Sequence, residues 1–397
     1  MAAIYHHTPF CLSKCHYCDF YSLAWGGKQV PHLEFLEALS REAKRWHSFI
    51  SKKIDAETLY FGGGTPSLLD PNLVESIINE ARDLSRLDFS EITLEVNPKT
   101  ADLNKLKEYK KRGVNRISMG LQSLNDKLLH SLGRAHTGKE ALQSLEYIYA
   151  AGFTKVNVDI MYGLPEQTMS DVQETLRELN EFPLKHISAY QLIVEEHTPF
   201  YQLEQQGKLN LPAEEVVEEM ELAIQNFTYS KKMSKYEVSN YAVPNHESLH
   251  NLNYWSYQSF IGLGPGAVSF LKKDQIIQIP ELSKKLKMSD DSIYAWRLTN
   301  PRDLQSYLKN SSSWQDVSVE EISLKTAQAE FMLMGLRKRA GVNYQDFENT
   351  FAEKMPESFN QSIEKEINLG RMEVHDEGVL LTDLGHQFLN SVIENFI

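Results

Sequence analysis

Ile4-Tyr5-His6-His7-Thr8-Pro9-Phe10-Cys11-Leu12-Ser13-Lys14-Cys15-His16-Tyr17-Cys18 opens the chain with a β-branched and aromatic run that ends in three cysteines spaced C-x3-C-x2-C. They are the only cysteines in 397 residues, and an odd number gathered in one loop does not make a disulfide framework. Thiols at this spacing ask for a metal or redox role. A cubane held by three thiolates keeps one iron free of protein ligands, and that open position can take a cofactor or substrate. Two alternatives stay open at this point. A structural zinc would need a fourth ligand, which His6, His7 or His16 could supply, and three ordinary buried thiols could cluster by chance.

Working outward, short strand-like runs recur at residues 3–7, 58–61, 92–96, 116–121, 155–161 and 186–193. Segments of helical apolar spacing lie between them at 33–49, 71–84, 102–112, 138–151 and 170–182, often behind an Asp, Pro or Ser start signal. This alternation predicts an α/β fold of parallel βα units with right-handed crossovers, either a doubly wound sheet or a partial (β/α)6 TIM-like barrel. The polar signatures favour the barrel, because GGGTP (62–66), EVNP (95–98), GLQS (120–123) and DIMYGLP (159–165) all fall at the carboxyl ends of predicted strands.

Within those signatures, Gly62, Gly63 and Gly64 lack the side chains that would keep a ligand from the backbone, although many tight turns use glycine. Glu95, Gln122 and Asp159 stand where a packed strand would carry apolar residues. Inward charges cost several kcal/mol unless paired, so a ligand or a partner is implied. Arg134 could pair with one of these carboxylates or clamp a ligand carboxylate. The plain alternative is a salt-bridge network at the barrel mouth.

From about Leu211 the pattern changes to a helix over 213–229, a strand-like run at 236–243 and the Gly-rich IGLGPGAVSF at 261–270, expected to close the barrel over its mouth. Residues 272–292 are polar and Lys-rich, as in a linker, and helices are expected at 301–309, 323–339 and 344–350. The ending MEVHDEGVLLTDLGHQFLNSVIENFI suggests a β-hairpin followed by a helix. The regions expected are a core barrel over 1–210, a closing segment over 211–275 and a mainly helical C-terminal domain over 276–397.

Composition sets the outer bounds. With 42% hydrophobic and 24% charged residues the chain can bury a substantial core. A net charge of −13, from 41 Lys+Arg against 54 Asp+Glu, argues against nucleic acid as the main partner. The amino terminus has no basic n-region, and no stretch supplies the roughly 20 apolar residues of a spanning helix, so a soluble cytoplasmic protein is expected.

The cysteine spacing with its aromatic flank resembles the defining motif of the radical S-adenosylmethionine (SAM) superfamily. There the open iron of a [4Fe-4S] cluster chelates SAM, and an electron from the cluster cleaves the sulfonium to give a 5′-deoxyadenosyl radical. The order of the YxHxPFC-like start, GGGTP, ExNP, GxQS, Arg134 and DxxYGLP resembles the oxygen-independent coproporphyrinogen III oxidase family and its HemW-like relatives, across at least residues 4–270. The resemblance implies Cys11, Cys15 and Cys18 as cluster ligands, and Tyr5, Gly63, Glu95 and Val268 as contacts of the SAM on the cluster. Tyr17, Gly64, Thr65, Gln122, Arg134, Asp159 and Ala189 match a second SAM position known in the coproporphyrinogen enzymes. It also implies a small winged β-hairpin in the C-terminal domain.

Two departures separate the branches. The dehydrogenases resembled here carry a further Cys two residues after the third ligand and a longer amino-terminal segment, whereas this chain has Phe20 at that place and begins its motif at residue 11. His250-Asn251-Leu252-Asn253-Tyr254-Trp255 has the H-N-x-x-Y-W form of HemW-like proteins, which makes His250, Asn251, Tyr254 and Trp255 candidates for haem. A lone His beside aromatics is otherwise a hydrogen-bonded structural residue, and His246 or His197 could serve instead. The leading expectation is a haem chaperone that delivers haem to haem-dependent respiratory proteins. The partners implied are haem, haem-accepting proteins, a reductant such as flavodoxin or ferredoxin, transient membrane contact and a homodimer. The alternative expectation is coproporphyrinogen III dehydrogenation, in which a propionate loses hydrogen and CO2 to become a vinyl group.

Overall fold

The computed structural model describes residues 2–26, 28, 30–277, 282, 286, 290 and 292–397. Strands β1 (Ala2–Thr8), β2 (Ala56–Gly63), β3 (Glu91–Val96), β4 (Arg116–Gln122), β5 (Lys155–Tyr162) and β6 (His186–Gln191) pair in parallel in that order. Helices α1 (His32–Phe49), α2 (Pro71–Leu84), α3 (Leu103–Lys111), α4 (Asp126–Ser131), α5 (Gly138–Ala150) and α6 (Met169–Leu179) connect them. Each of the six predicted strands therefore forms close to its expected place. The local reasons are visible: α2 buries Leu73, Val74, Ile77, Ile78, Ala81 and Leu84 on one face and starts where Asp70 accepts the Asn72 N–H. Reciprocal capping boxes, Thr137 with Glu140 and Thr168 with Asp171, start α5 and α6.

After α7 (Pro199–Gln205) and α8 (Glu214–Ser230), two short antiparallel strands, β7 (Ser234–Lys235) and β8 (Asn240–Ala242), extend the sheet beyond β6. Helix α9 (Leu249–Trp255) follows, and β9 (Ser259–Leu263) then adds a seventh parallel strand on the other side of β1. Antiparallel β10 (Val268–Lys272), β11 (Ile293–Thr299) and β12 (Ser318–Ser323) continue from it. The twelve strands run β12-β11-β10-β9-β1-β2-β3-β4-β5-β6-β8-β7, a linear order with two edges, so the barrel is partial. Most of the linker expected at 272–292 lies outside the described residues.

The closing segment needs a correction. Its Gly-rich turn does stand at the carboxyl end of β1, where Gly264 abuts His7 and Gly266 abuts Tyr21 of the cysteine loop; but α9 sits below, against the amino-terminal ends of the strands, where His250 meets Thr58 of β2 and the backbone N–H of His250 donates to Glu91, the first residue of β3. Glu91 is buried and accepts at the first turn of α9, which ties the helix to that end.

On the far side, buried Glu42 of α1 accepts from Asn300 at 2.6 Å, Tyr307 at 2.6 Å and the backbone of Gly264 at 2.9 Å, with Arg45 at 3.1 Å. One carboxylate thus joins α1, the Gly-rich turn and α10 (Leu304–Asn310). The chain continues with α11 (Leu324–Gly335), β13 (Val342–Asn343), α12 (Tyr344–Phe351), α13 (Glu357–Asn368) and a hairpin of β14 (Met372–His375) and β15 (Gly378–Leu381), and closes with the short helices α14 (Asp383–Gln387) and α15 (Leu389–Ile393). Phe331, Phe347, Phe351, Phe359 and Phe396 form its core and pack on Tyr257 and Phe270 from the barrel side. Among the described residues no helix is long and apolar enough to cross a membrane.

Candidate functional site

The carboxyl ends of β2 to β6 and the cysteine loop enclose a cavity of about 530 Å3. Cys11, Cys15 and Cys18 line it together with Tyr17, Gly63, Gly64, Thr65, Glu95, Gln122, Arg134 and Asp159. Three residues implied for SAM do not line it. Tyr5 lies on β1 with its hydroxyl on His7 at 3.1 Å, Ala189 is buried in β6, and Val268 opens β10.

Backbone geometry makes the floor. At Gly63, φ is +102°, and a Cβ there would sit 2.6 Å from the His7 ring. A Cβ at Gly64 would meet the Phe10 and Thr8 carbonyl oxygens at 2.7 and 2.8 Å and Cys11 Sγ at 3.0 Å. Only glycine lets GGGTP run this close beneath the cysteine loop. The loop is fixed in return by Gly64 N–H to Thr8, Thr65 N–H to Phe10 and the Thr65 hydroxyl on Cys11 Sγ at 3.5 Å. Burial raises the Cys11 thiol, against hydrogen bonds from Thr65 and Ser22, and burial raises Cys18 against the backbone of Phe20.

The chemistry of the donors separates a cluster from zinc. A cubane takes each thiolate on a different iron, so its ligands need not converge, whereas zinc needs four donors about 2.0–2.3 Å from one ion. Among the described residues no three Cys, His, Asp or Glu side chains gather as a single ion requires. The histidines that could complete a zinc site are engaged elsewhere: His7 with Tyr5 and the Tyr21 carbonyl, His16 with the Ser131 carbonyl, His6 with Thr8. The three thiols on one wall fit the cluster.

The opposite wall is acidic. Burial raises Glu95 to about 8; the Tyr60 hydroxyl, donating at 2.8 Å, opposes this and Asp159 adds to it. Burial raises Asp159 to about 6 against hydrogen bonds from Ser188 and Asn157, the latter at 2.7 Å. Two carboxyls held partly protonated at one cavity suit a cationic ligand that would restore both charges. Gln122 has φ +66° at a bulge where β4 shifts register against β5, and its buried Oε1 has no partner among the described residues.

Arg134 does not pair with Glu95 or Asp159, the first of the two partners expected for it. Its Nη2 donates to Asn97 Oδ1 at 2.8 Å and the Gly120 carbonyl at 2.6 Å, and Nη1 reaches Cys15 Sγ at 3.6 Å. The guanidinium is thereby committed to the cysteine side. Sequence reasoning missed Asn97, which also donates to Thr65 at 2.8 Å and so joins three signatures. Its signal was its place inside EVNP. Tyr60 was missed as well, although it is an aromatic two residues before the glycines.

The haem candidates stand apart from this cavity, at the barrel's lower end. His250 is buried, with Nδ1 on Thr58 at 2.9 Å, Nε2 on Tyr254 at 3.0 Å and the ring stacked on Tyr60 at 4.9 Å. Burial lowers it to about 3, so the imidazole is neutral, but both nitrogens are occupied in this conformation. Asn251 donates its backbone N–H to the Ser248 cap, and Trp255 faces the C-terminal domain. His246 is half-buried with an Nδ1 that has no partner among the described residues, and His197 is exposed.

Comparison with known proteins gives this geometry its family. The Radical SAM superfamily matches residues 5–179, and the HemN C-terminal domain matches residues 322–388. The chain is 32% identical over 396 residues to "Heme chaperone HemW" of Lactococcus lactis, covering 99% of this chain and 96% of that protein. This chain belongs to the HemW family. It is also 30% identical over 399 residues to the HemW of Bacillus subtilis, covering 100% and 99% of the two chains. A solved structure of coproporphyrinogen III oxidase (HemN) from Escherichia coli, a radical SAM enzyme, aligns with a TM-score of 0.76 over 100% of this chain and 89% of that one. At 20% identity that likeness carries the fold, a radical SAM partial barrel with its C-terminal domain.

Proposed function

We propose that this protein is a haem chaperone: it binds haem and passes it to haem-requiring proteins, and it holds a [4Fe-4S] cluster and SAM in the cavity. The observation that carries the reading is similarity running the full length of proteins named as haem chaperones, C-terminal domain included. Phe20, exposed on the rim where the dehydrogenase branch would have a further Cys, supports it from the sequence side.

In this reading Cys11, Cys15 and Cys18 hold the cluster. Such a cluster, with a flavodoxin or ferredoxin as reductant, would offer SAM an open iron and one electron. The chain's own residues do the rest. Glu95 and Asp159 release protons when a cationic group arrives, Gly63 and Gly64 let it approach the backbone, and Arg134 holds Cys15, Asn97 and β4 in register. Tyr5, Tyr17, Thr65, Gln122, Ala189 and Val268 remain SAM candidates on the resemblance. The three-part division at 210 and 275 is part of the same reading, as are the cytoplasmic location, transient membrane contact and a homodimer.

For His250 the fold sets a condition. Haem ligation requires the bond to Thr58 or Tyr254 to open, so haem binding should expose α9. Anaerobic reconstitution with iron and sulfide tests the cluster: a [4Fe-4S] absorbance that SAM perturbs is expected, and it should be lost in Cys15→Ala. Retention of that spectrum by the variant would refute the ligand set. Haem titration of the reconstituted protein tests the cargo, with a saturable absorbance change expected and none contradicting it.

A further inference from the structure

Asn97 stands between two side chains that each reach a different cysteine. Its Oδ1 accepts from Arg134 Nη2 at 2.8 Å, and its Nδ2 donates to Thr65 Oγ1 at 2.8 Å. Beyond these contacts, Arg134 Nη1 reaches Cys15 Sγ at 3.6 Å and the Thr65 hydroxyl reaches Cys11 Sγ at 3.5 Å.

The directions follow from the donors. A guanidinium has no acceptor, so the amide oxygen of Asn97 must face Arg134 and its NH2 must face Thr65. Thr65 meets that NH2 with a lone pair, which leaves its one proton for Cys11. On the other arm the Gly120 carbonyl accepts from the same Nη2 at 2.6 Å, so two acceptors fix the guanidinium plane and turn Nη1 toward Cys15. The amide is held in turn: the Asn97 backbone N–H donates to Ser67 Oγ at 3.3 Å. A Cβ at Gly120 would stand 2.8 Å from Asn97 Oδ1 and 3.2 Å from Arg134 Nη2, so the glycine of GLQS makes room for the pair.

Hydrogen bonds to the ligand sulfurs and charge beside them set the potential of an iron–sulfur cluster, because reduction adds a negative charge. We propose that Asn97 is a positioning residue that raises the reduction potential of a cluster held by Cys11, Cys15 and Cys18, by aiming the Thr65 proton at Cys11 and the Arg134 cation at Cys15. The inference rests on the cluster assignment under the proposed function and is independent of the haem cargo.

The test is a redox titration of the reconstituted full chain without SAM, so that no contact of Asn97 with that ligand enters the measurement. Asn97→Asp keeps the shape and the acceptor for Arg134 but has no NH2. The Thr65 proton then turns to the carboxylate, and the added charge offsets the guanidinium. At a fixed applied potential the ratio of reduced to oxidised cluster should fall at least ~10-fold, which for one electron is a shift of about 59 mV to lower potential. Thr65→Val removes only the hydroxyl. It should lower the potential in the wild-type background and change it little in Asn97→Asp, where the proton has already left Cys11. An unchanged potential in Asn97→Asp overturns the proposal, as do additive shifts in the double variant. If Asn97→Asp takes up no cluster, Thr65→Val decides alone: a lowered potential supports the sulfur contact and an unchanged one overturns it. A wild type without a [4Fe-4S] spectrum refutes the cluster assignment, whereas a cluster whose potential ignores Asn97 refutes this inference alone.

Discussion

Glu95→Gln replaces the buried carboxyl of the cavity wall with its neutral isostere. Burial raises Glu95 from 4.5 to about 8, so between these values the native state keeps a proton that the unfolded chain has released. Stability from this group is fully present below pH 4.5 and is lost as pH rises toward 8. Each pH unit in that window costs about 1.4 kcal/mol, which accumulates to about 3 kcal/mol at neutral pH and under about 1 kcal/mol near pH 5. Glutamine carries no such penalty. Urea unfolding of the protein without cluster or SAM should therefore find the variant more stable than wild type by an amount that grows across this pH range. Asp159 is present in both proteins and largely cancels. The substitution also removes the anion that would meet a cationic ligand, so SAM should bind the reconstituted variant at least ~10-fold more weakly. A stability difference that does not change with pH would refute the reasoning, because it would mean that Glu95 ionises as freely in the fold as outside it.

Three other perturbations follow from the contacts. Gly64→Ala places a methyl 2.7–2.8 Å from two carbonyl oxygens under the cysteine loop, and iron retained after reconstitution should fall sharply while far-ultraviolet circular dichroism stays native. Glu42→Ala strands Asn300, Tyr307, Arg45 and the Gly264 N–H, and should lower stability by about 3–5 kcal/mol in urea unfolding. His250→Ala removes the partner of Thr58 and Tyr254 and the ring stacked on Tyr60, and should cost about 2–4 kcal/mol in the same assay without haem.

The parts legible in the sequence were those set by local chemistry. The six parallel strands, their capped helices and the cavity signatures follow from periodicity and from glycines and carboxylates at strand ends. What escaped is set by distant residues. α9 was read as part of a closure over the mouth, but its place depends on Glu91 and Thr58, roughly 160 and 190 positions earlier in the chain, which receive it at the opposite end. Strands β11 and β12 look ordinary in isolation and become sheet only because β10 offers an open edge. For Arg134 a strand-end carboxylate was one of two partners offered, and the fold instead supplies Asn97, Gly120 and Cys15, because a long side chain's partner within the protein is chosen by the fold. Gln122 was singled out as a polar residue in a strand, but the bulge that aims it arises from pairing with β5.

The central claim is that this barrel carries a tetrapyrrole rather than making one. Its most direct test gives the reconstituted, reduced protein SAM and coproporphyrinogen III in one vessel, and haem with an apo haem protein as acceptor in another. The account predicts no protoporphyrinogen in the first and haem appearing in the acceptor's spectrum in the second. Protoporphyrinogen formed with release of CO2, with no haem passed on, would contradict it.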